Sequence, residues 1–379
     1  MDFKLSEEQE LIRASAREFA LEYIEPIAGE LDEKSLYPYE VFAKLGELGM
    51  MGISYPSEYG GGGQSFVTSM LVTEEIARAC PATGFLHGYS YGLVGHPIIT
   101  FANEEQKKKW LPGLASGKYV GAFTLTEPGA GTDVSAATTT AFKEGDAYIL
   151  NGAKTFITNA IMADVFVAFA YTNKDAGPKG MSAFLIPKGT PGLVLGEHFE
   201  KMGIRASQTS EVLFKDCVVP ADCLLGKEGE GFKIAMSALD AGRIGMAAMT
   251  TGIAQACLDE SVRYSKARVQ FKKPISSQQA IQWFIADMST DIDAARFLYL
   301  YAAWVKDQGQ PFSLAASKAK LFCSECAVKH TSKAVQIQGG YGYIKGSKAE
   351  RLYRDAKITE IGEGTSEAQR MIIAGAALR

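Results

Sequence analysis

Residues 138–152, TTTAFKEGDAYILNG, mark the point at which the chain changes from helical to extended patterns. Two runs with strand-like residues flank Glu144-Gly145-Asp146, and Asn151-Gly152 is a second tight-turn signal. Short turns of this composition between such runs are typical of β-hairpins. Further strand-like runs follow at residues 165–171, 181–186, 193–195 and 211–214. We therefore expect a middle antiparallel β domain over residues 116–226.

The chain before this region has helical periodicity. Ser6 and Gln9 have the spacing of a capping box, and apolar residues recur behind them at the spacing of an amphipathic helix. The same spacing returns at residues 39–48, 69–79 and 104–114. Glycine- and proline-containing stretches at 60–63 and 81–84 indicate loops between these helices. The sequence thus predicts an N-terminal α-helical domain over residues 1–115.

Helical spacing resumes after the β region in longer runs. These runs span residues 231–267, 277–308, 312–337 and 365–378. Four helices of such length can pack as a bundle, which predicts a C-terminal helical bundle domain over residues 227–379. The expected fold class is α+β multidomain, in the order helical, β, helical. This order argues against a dinucleotide-binding fold, in which strands and helices alternate.

The composition of the chain excludes several classes of protein. Its 379 residues are 47% hydrophobic, which is enough apolar material for more than one core. A formal net charge of −4 supplies no basic surface for nucleic acid. Since no run approaches twenty apolar residues, we expect no integral membrane association. Residues 1–9 lack the pattern of a signal peptide, which predicts a cytoplasmic location.

The six cysteines do not indicate a disulfide framework or a metal centre. Only Cys323 and Cys326 form a C-x-x-C pattern, and no second pair accompanies them. A zinc site would need further ligands that the sequence does not show. We interpret this pair as buried in a helix, with a metal or redox role as the less favoured alternative, and predict no metal site.

Two stretches in the β region have side chains that suit a ligand site. Residues 124–133, TLTEPGAGTD, combine hydroxyls with a glycine-rich turn whose backbone a ligand can approach. In residues 153–160, AKTFITNA, Phe156 and Thr158 alternate along a strand and so share one face. They could stack on a planar ligand and hydrogen-bond to it. A tight loop and a core phenylalanine are the ordinary structural alternatives.

Two further stretches belong to the C-terminal region. Residues 336–343, QIQGGYGY, place glycines after a helix, where a diphosphate could approach the backbone, although glycine also commonly ends helices. Glu363 stands between Gly362 and Gly364 just before the final helix. Because its two neighbours have no side chains, this carboxylate is sterically accessible. A base that removes a proton from carbon needs such access. A solvated loop carboxylate is the alternative.

Taken together and in order, these stretches resemble the acyl-CoA dehydrogenase family over essentially the whole chain. The resemblance is carried by LTEPGAGTD at 125–133, FITN at 156–159, RVQF at 268–271 with QAI at 279–281, QIQGGYG at 336–342 with RDAK at 354–357, and EGTS at 363–366. It implies a helical domain, a β domain and a four-helix bundle in a homotetramer that binds FAD.

The resemblance also assigns cofactor-binding residues. Leu125 and Thr126 would face the flavin pyrimidine, Phe156 would cover the isoalloxazine, and Thr158 would bond near flavin N5. Other residues match positions on the diphosphate and adenosine side of FAD, several of them across a subunit interface. These are Arg268, Phe271, Gln279, Gln336, Gly339, Gly340, Thr365 and Glu367.

The reaction implied is α,β-dehydrogenation of an acyl-CoA. Glu363 would abstract the α-proton, flavin N5 would accept the β-hydride, and electrons would pass to an electron-transfer flavoprotein. Thr132 and Arg243 match positions that contact the CoA part of the substrate. Gly242, Gly362 and Gly364 are also assigned to the substrate site.

Departures from the family pattern suggest the substrate. Gly242 and Gly362 stand where relatives carry larger side chains, so we expect a widened site and a bulky acyl group, branched, alicyclic or aryl-bearing. The alternative is that neighbours fill this space and the substrate is a short linear acyl-CoA. Gly84 matches the arginine with which glutaryl-CoA dehydrogenases bind a distal carboxylate, which disfavours a dicarboxylic substrate.

Two other functions remain as less favoured alternatives. Acyl-CoA oxidases share the fold and the base but pass electrons to oxygen, and their chains are usually longer. A non-catalytic flavin- or CoA-binding protein would be expected to lack the base, whereas Glu363 is present.

Overall fold

The computed structural model describes residues 4–378. Residues 1–3, part of the N-terminal stretch considered above, and Arg379 lie outside the described residues. The first part of the chain is helical, as predicted, and the capping box is confirmed because Ser6 Oγ accepts the Gln9 N–H at 3.1 Å. Its helices are α1 Glu7–Phe19, α2 Ala28–Glu33, α3 Tyr39–Glu47, α4 Phe66–Ala79, α5 Pro81–Tyr89, α6 His96–Phe101 and α7 Glu104–Ala115.

The loop predicted at residues 81–84 is wrong. Pro81 occupies the first turn of α5, where its fixed φ and missing N–H are tolerated. Gly84 then packs against α4, so closely that a Cβ atom there would lie 2.4 Å from the Cβ of Ala77. The glycine therefore allows two helices to approach each other. No larger side chain could occupy this position without moving α4.

A mixed sheet follows the helices. Its strands are β1 Gly121–Thr124, β2 Thr140–Glu144, β3 Ala147–Thr158, β4 Val165–Tyr171, β5 Met181–Pro187, β6 Leu193–His198, β7 Thr209–Pro220 and β8 Leu224–Leu225. The strand order is β6-β7-β3-β2-β4-β5-β8, and β1 pairs with β4. One face of β4, including Val165 and Phe169, packs on the helices, while Phe166 and Ala168 face a second core.

The sheet departs from the sequence prediction in two ways. It is antiparallel except where β1 and β2 pair with β4, both in parallel. Long connections between β1 and β4 permit a parallel pairing that a hairpin could not make. Asn151-Gly152 is not a turn, because β3 continues through it and pairs with β7 on both sides of a register shift there. The turn signal marks a β-bulge instead.

The third part returns to helices. Its elements are α8 Gly231–Ala267, β9 Val269–Gln270, β10 Lys273–Pro274, α9 Gln279–Asp307, α10 Ser313–Gln338, α11 Gly340–Tyr343, α12 Lys348–Lys357 and α13 Ser366–Ala377. The four predicted helices are confirmed as α8, α9, α10 and α13. The sequence analysis missed α12, which packs against α8 and α10.

Helix α10 carries the cysteine pair. Cys323 and Cys326 are both buried free thiols, and Cys323 Sγ lies 3.4 Å from the Ala295 carbonyl oxygen on α9. The interpretation of the pair as buried in a helix is confirmed. Between residues 4 and 378, no helix is both long and apolar enough to cross a membrane.

A buried ion pair ties the turn after β1 to β3. Lys154 Nζ lies 2.8 Å from Glu127 Oε1 and donates to the Leu125 carbonyl at 3.0 Å. The Glu127 carboxylate also accepts the backbone N–H groups of Thr138 and Thr139. Burial acts to raise the pKa of Glu127, but the Lys154 ammonium and these hydrogen bonds lower it to about 2. The pair thus fixes the backbone between β1 and β2.

Replacing Lys154 by methionine should destabilise the protein by about 3–5 kcal/mol, because it leaves the Glu127 carboxylate buried without its cation. The double variant E127Q/K154M carries no charge and should recover part of this loss. Urea unfolding followed by circular dichroism measures the effect. K143M is a matched control, since it removes a cation from an exposed ion pair with Glu228. Equal stability of K154M and K143M would contradict the prediction.

Candidate active site

Glu363 lies in the short loop that leads into α13. Thr365 begins that helix by accepting the Ala368 N–H at 3.2 Å. Glu363 and Gly364 both have positive φ, of 55° and 94°. A non-glycine residue seldom adopts the left-handed region, and such strain is concentrated at functional sites. Among the carboxylate residues that the structure describes, only Glu363 and the exposed Asp216 have a positive φ.

The Glu363 carboxylate points against the backbone of α8. A Cβ atom at Gly242 would lie 2.5 Å from Glu363 Oε2 and 2.8 Å from Leu93 Cδ2. This Oε2 atom is shielded from solvent and has no hydrogen-bond partner among the described residues. A buried polar atom without a partner is costly and calls for an explanation. An unpartnered Oε2 is expected if the Glu363 carboxylate acts on a bound molecule.

Burial also changes the acidity of this side chain. It raises the pKa of Glu363 to about 7, while the nearby charges of Lys320 and Arg243 act to lower it. A base with a pKa near neutrality combines a useful ionised fraction with appreciable proton affinity. Perturbed carboxylates of this kind are frequent in active sites.

Three side chains hold the backbone of the Glu363 loop. Arg243 on α8 donates to the Glu363 carbonyl at 3.2 Å, and Lys320 on α10 donates to the Gly364 carbonyl at 2.7 Å. Gln369 on α13 donates to both carbonyls, at 3.4 and 3.0 Å. Arg243 is buried and pairs with Asp240 at 2.6 Å. Its expected contact with the CoA nucleotide stays a prediction.

The two glycines near the base differ in the space around them. At Gly242 the space for a side chain is filled by the Glu363 carboxylate and Leu93. At Gly362 it is bounded by the Ile358 carbonyl, 3.4 Å from an added Cβ, and by Met246 Cε at 3.6 Å. The expectation of a bulky acyl group is therefore not supported at Gly242, where the space is occupied, whereas a Cβ at Gly362 would make only ordinary van der Waals contacts.

The predicted flavin-facing residues lie on adjoining segments of the sheet. Leu125 and Thr126 follow β1, and the Thr126 carbonyl accepts the Thr155 N–H of β3 at 2.9 Å. Phe156 lies at a register shift of β3 with a φ of 57°, and 69% of its surface is exposed. An aromatic ring displayed from a strained backbone position fits the covering of a planar cofactor.

Tyr89 links this part of the sheet to the base. Its hydroxyl donates to the Thr158 carbonyl at 3.3 Å and accepts the Phe123 N–H at 2.6 Å. Burial, and to a smaller extent the charge of Glu363, raise the pKa of Tyr89. Tyr89, Thr158 and Glu363 therefore lie in one region of the molecule.

The glycine-rich turn after Thr126 is open. A Cβ atom added at Gly129 or Gly131 would meet no atom within 4 Å. Thr132 is exposed in the same turn. A ligand could therefore approach this backbone closely, as the sequence pattern predicts.

The remaining predicted cofactor residues form a separate group in the bundle. The Arg268 guanidinium lies 5.5 Å from the ring centre of Tyr341. Phe271 and Lys272 both have positive φ, as the two-residue turn of the β9–β10 hairpin requires. Space around Gly339 and Gly340 is open. All six residues are exposed, and we call them the Arg268 group: Arg268, Phe271, Gln279, Gln336, Gly339 and Gly340.

The structure therefore divides the predicted site residues into two groups. Glu363 lies with Gly242, Arg243, Gly362 and Gly364, and Thr365 and Glu367 follow at the start of α13. Within residues 4–378, no hydrogen bond joins the Arg268 group to Thr126 or to β3, which carries Thr158. The hydrogen bonds of the described residues therefore do not link the two groups.

Sequence reasoning missed Tyr89, Lys320 and Gln369. A signal for Lys320 was present, because Ala316, Cys323 and Ala327 stand four, three and seven positions away on the same helical face. A lysine on an otherwise apolar face is unusual and marks a buried cation. Tyr89 and Gln369 had no comparable signal, since their roles depend on contacts distant in the sequence.

All three parts of the chain match known families. The acyl-CoA dehydrogenase N-terminal, middle and C-terminal domains match residues 6–118, 122–217 and 229–378. The chain is 47% identical over 379 residues to the short-chain specific acyl-CoA dehydrogenase of Clostridium acetobutylicum, with 100% of both chains covered.

Solved structures give the same result. Butyryl-CoA dehydrogenase from Megasphaera elsdenii superposes with a TM-score of 0.98 at 45% identity, covering 100% of both chains. A chain from the structure of the electron transferring flavoprotein of Acidaminococcus fermentans gives 0.98 at 49% identity, again covering 100% of both. Acyl-CoA dehydrogenase complexed with FAD from Bacillus anthracis gives 0.92 at 34% identity, covering 99% of this chain and 68% of that one. The chain belongs to the acyl-CoA dehydrogenase family of flavoprotein oxidoreductases.

Proposed function

We propose that this protein catalyses the FAD-dependent α,β-dehydrogenation of a short linear acyl-CoA to the 2-enoyl-CoA. The observation that carries the reaction is the Glu363 carboxylate, which is buried, has an unpartnered Oε2 and has a pKa raised to about 7. The short acyl chain is supported by the similarity to short-chain and butyryl-CoA dehydrogenases and by the occupied space at Gly242.

Glu363 is the base that removes the α-proton. The α-carbon of a thioester is weakly acidic, so the developing negative charge on the carbonyl oxygen needs a donor. Within residues 4–378, the backbone N–H of Glu363 donates to no protein acceptor, and it is therefore free to bind this oxygen. Thr132, Arg243 and Gly364 complete the proposed substrate contacts. Bound FAD supplies the hydride acceptor.

The two groups of cofactor residues hold different parts of FAD. Leu125, Thr126, Phe156 and Thr158 bind the flavin end, and Thr365 and Glu367 lie towards the diphosphate. The Arg268 group contacts the diphosphate and adenosine of the FAD molecule that a neighbouring subunit binds. This group consists of Arg268, Phe271, Gln279, Gln336, Gly339 and Gly340. Within residues 4–378, no hydrogen bond links this group to β3 of its own chain, which agrees with that arrangement.

Assembly and electron transfer follow from the same proposal. Helix α9 displays large exposed aromatic side chains, including Trp283, Tyr301 and Trp304. An aromatic surface of this kind suits burial against other copies in a homotetramer.

Electrons leave to an electron-transfer flavoprotein, a partner suggested by the similarity to the Acidaminococcus fermentans structure. A cytoplasmic location stays a prediction.

Replacing Glu363 by glutamine should slow flavin reduction by at least about a hundredfold, because general-base catalysis contributes factors of this size. Anaerobic stopped-flow bleaching of the flavin by butyryl-CoA measures the rate. E360Q is the matched control, since Glu360 pairs with Lys357 one turn earlier and should leave the rate unchanged. An E363Q enzyme that bleaches as fast as the parent would refute the assignment of the base.

The rate of flavin reduction should depend on pH through Glu363. Only its carboxylate form accepts a proton, so the rate should rise with pH to about 7 and level off above it. The charged or titratable groups that face this carboxylate are Lys320 from α10, Arg243 from α8 and Tyr89 from α5. A pH profile of single-turnover reduction tests this. A midpoint near 4.5, as for a solvated glutamate, would contradict it.

Short linear thioesters should be the best substrates. Butyryl-CoA and hexanoyl-CoA should bleach the flavin quickly, while isovaleryl-CoA, cyclohexanecarboxyl-CoA and phenylpropionyl-CoA should do so slowly. The reason is that the Glu363 carboxylate and Leu93 occupy the space beside Gly242, and an added Cβ at Gly362 would already touch Ile358 and Met246. Glutaryl-CoA should also react slowly. Faster bleaching by any branched or cyclic thioester would show that the packing around these glycines does not limit the acyl group.

A further inference from the structure

Lys320 is a buried cation beside the proposed base. Its exposed fraction is 0%, and it lies on a face of α10 that otherwise holds small apolar residues such as Ala316 and Ala327. Its Nζ donates to the Gly364 carbonyl at 2.7 Å. A buried ammonium is costly unless it is bonded and its charge is compensated. Burial accordingly lowers the pKa of Lys320 to about 8, and Glu363 opposes this effect.

Lys320 has charged neighbours but no ion pair of its own. The charges of Glu363 and Arg243 act on its pKa most strongly, and those of Glu360 and Glu367 act more weakly. No carboxylate lies within ion-pair distance of Lys320 in the part of the chain that the structure describes. Arg243, by contrast, is paired with Asp240 at 2.6 Å, which offsets its charge. Lys320 is thus the cation near Glu363 that has no carboxylate of its own.

The loop needs such support because its backbone is strained. Glu363 and Gly364 are consecutive residues with positive φ. Arg243 and Gln369 hold the Glu363 carbonyl, and Lys320 and Gln369 hold the Gly364 carbonyl. Fixing these two carbonyls fixes both peptide planes after Glu363, and with them the direction of its side chain.

We propose that Lys320 is a positioning residue for the base, which holds the Gly364 carbonyl and stabilises the carboxylate form of Glu363 by its charge. This inference rests on the proposed function of Glu363. Lys320 acts through the loop and through the electric field, and it takes no proton from the substrate. The role belongs to a residue of α10, far from the base in the sequence.

Three variants separate the two parts of the role. K320R keeps both charge and donor, K320Q keeps a donor without the charge, and K320M keeps neither. K318M is the matched control, because Lys318 is exposed two positions earlier on the same helix. Flavin reduction by butyryl-CoA is measured anaerobically against pH, with flavin content and thermal unfolding recorded for each variant.

Loss of the charge should move the midpoint of the pH profile upward by about one pH unit, since a nearby cation lowers a carboxyl pKa by that order. At pH 7 this corresponds to a rate about fivefold lower in K320Q and K320M. K320M should also have a lower plateau at high pH, because the Gly364 carbonyl loses its donor. K320R should retain the parent midpoint, and K318M should match the parent throughout.

The outcomes distinguish this inference from the proposed function. Parent-like midpoints and plateaus in both K320Q and K320M would overturn the role of Lys320, even if E363Q is inactive. Should K320M fail to fold, K320Q alone decides the question, because it retains the size and a donor. An E363Q enzyme with full activity would instead remove the proposed base, and the inference about Lys320 with it.

Discussion

Close contact between helix backbones is the constraint on which this structure depends. Helix α8 is buried over most of its length and packs against the N-terminal helices, the sheet and the other bundle helices. A Cβ at Gly92 would lie 2.7 Å from the Cα of Gly242, and one at Gly252 would lie 2.4 Å from the Glu74 carbonyl oxygen. Side chains at these places would force the helices apart. Small residues on α8 therefore hold the three parts of the molecule at their observed separation.

The same close packing surrounds the proposed base. Because α8 has no side chain at Gly242, the Glu363 carboxylate can lie against its backbone and be shielded from water. Shielding raises the pKa of the carboxyl group, and the buried cations of Lys320 and Arg243 limit that rise. The result is a carboxylate with a pKa near neutrality in an apolar setting. Burial thus raises the pKa of Glu363, and the charges of the two cations lower it.

Local patterns predicted much of the fold. The long helices of the C-terminal part, the capping box at Ser6 and the β2–β3 hairpin follow from short-range periodicity and turn chemistry. Errors arose where a local signal had two structural outcomes. Pro81 suits a loop or the first turn of a helix, and Asn151-Gly152 suits a turn or a bulge. Pairing partners distant in the sequence decide between these outcomes.

The candidate site, like the fold, was predicted only in part from local sequence patterns. The sequence by itself identified the family, the three-part architecture and the carboxylate at position 363, because these depend on ordered motifs and on residue identity. Only the tertiary structure decided what surrounds that carboxylate. The Glu363 carboxylate occupies the space that we expected to be open at Gly242. Lys320, which belongs to α10, donates a hydrogen bond to the loop that contains Glu363. Both facts depend on distances between segments far apart in the chain, which no local pattern of residues contains.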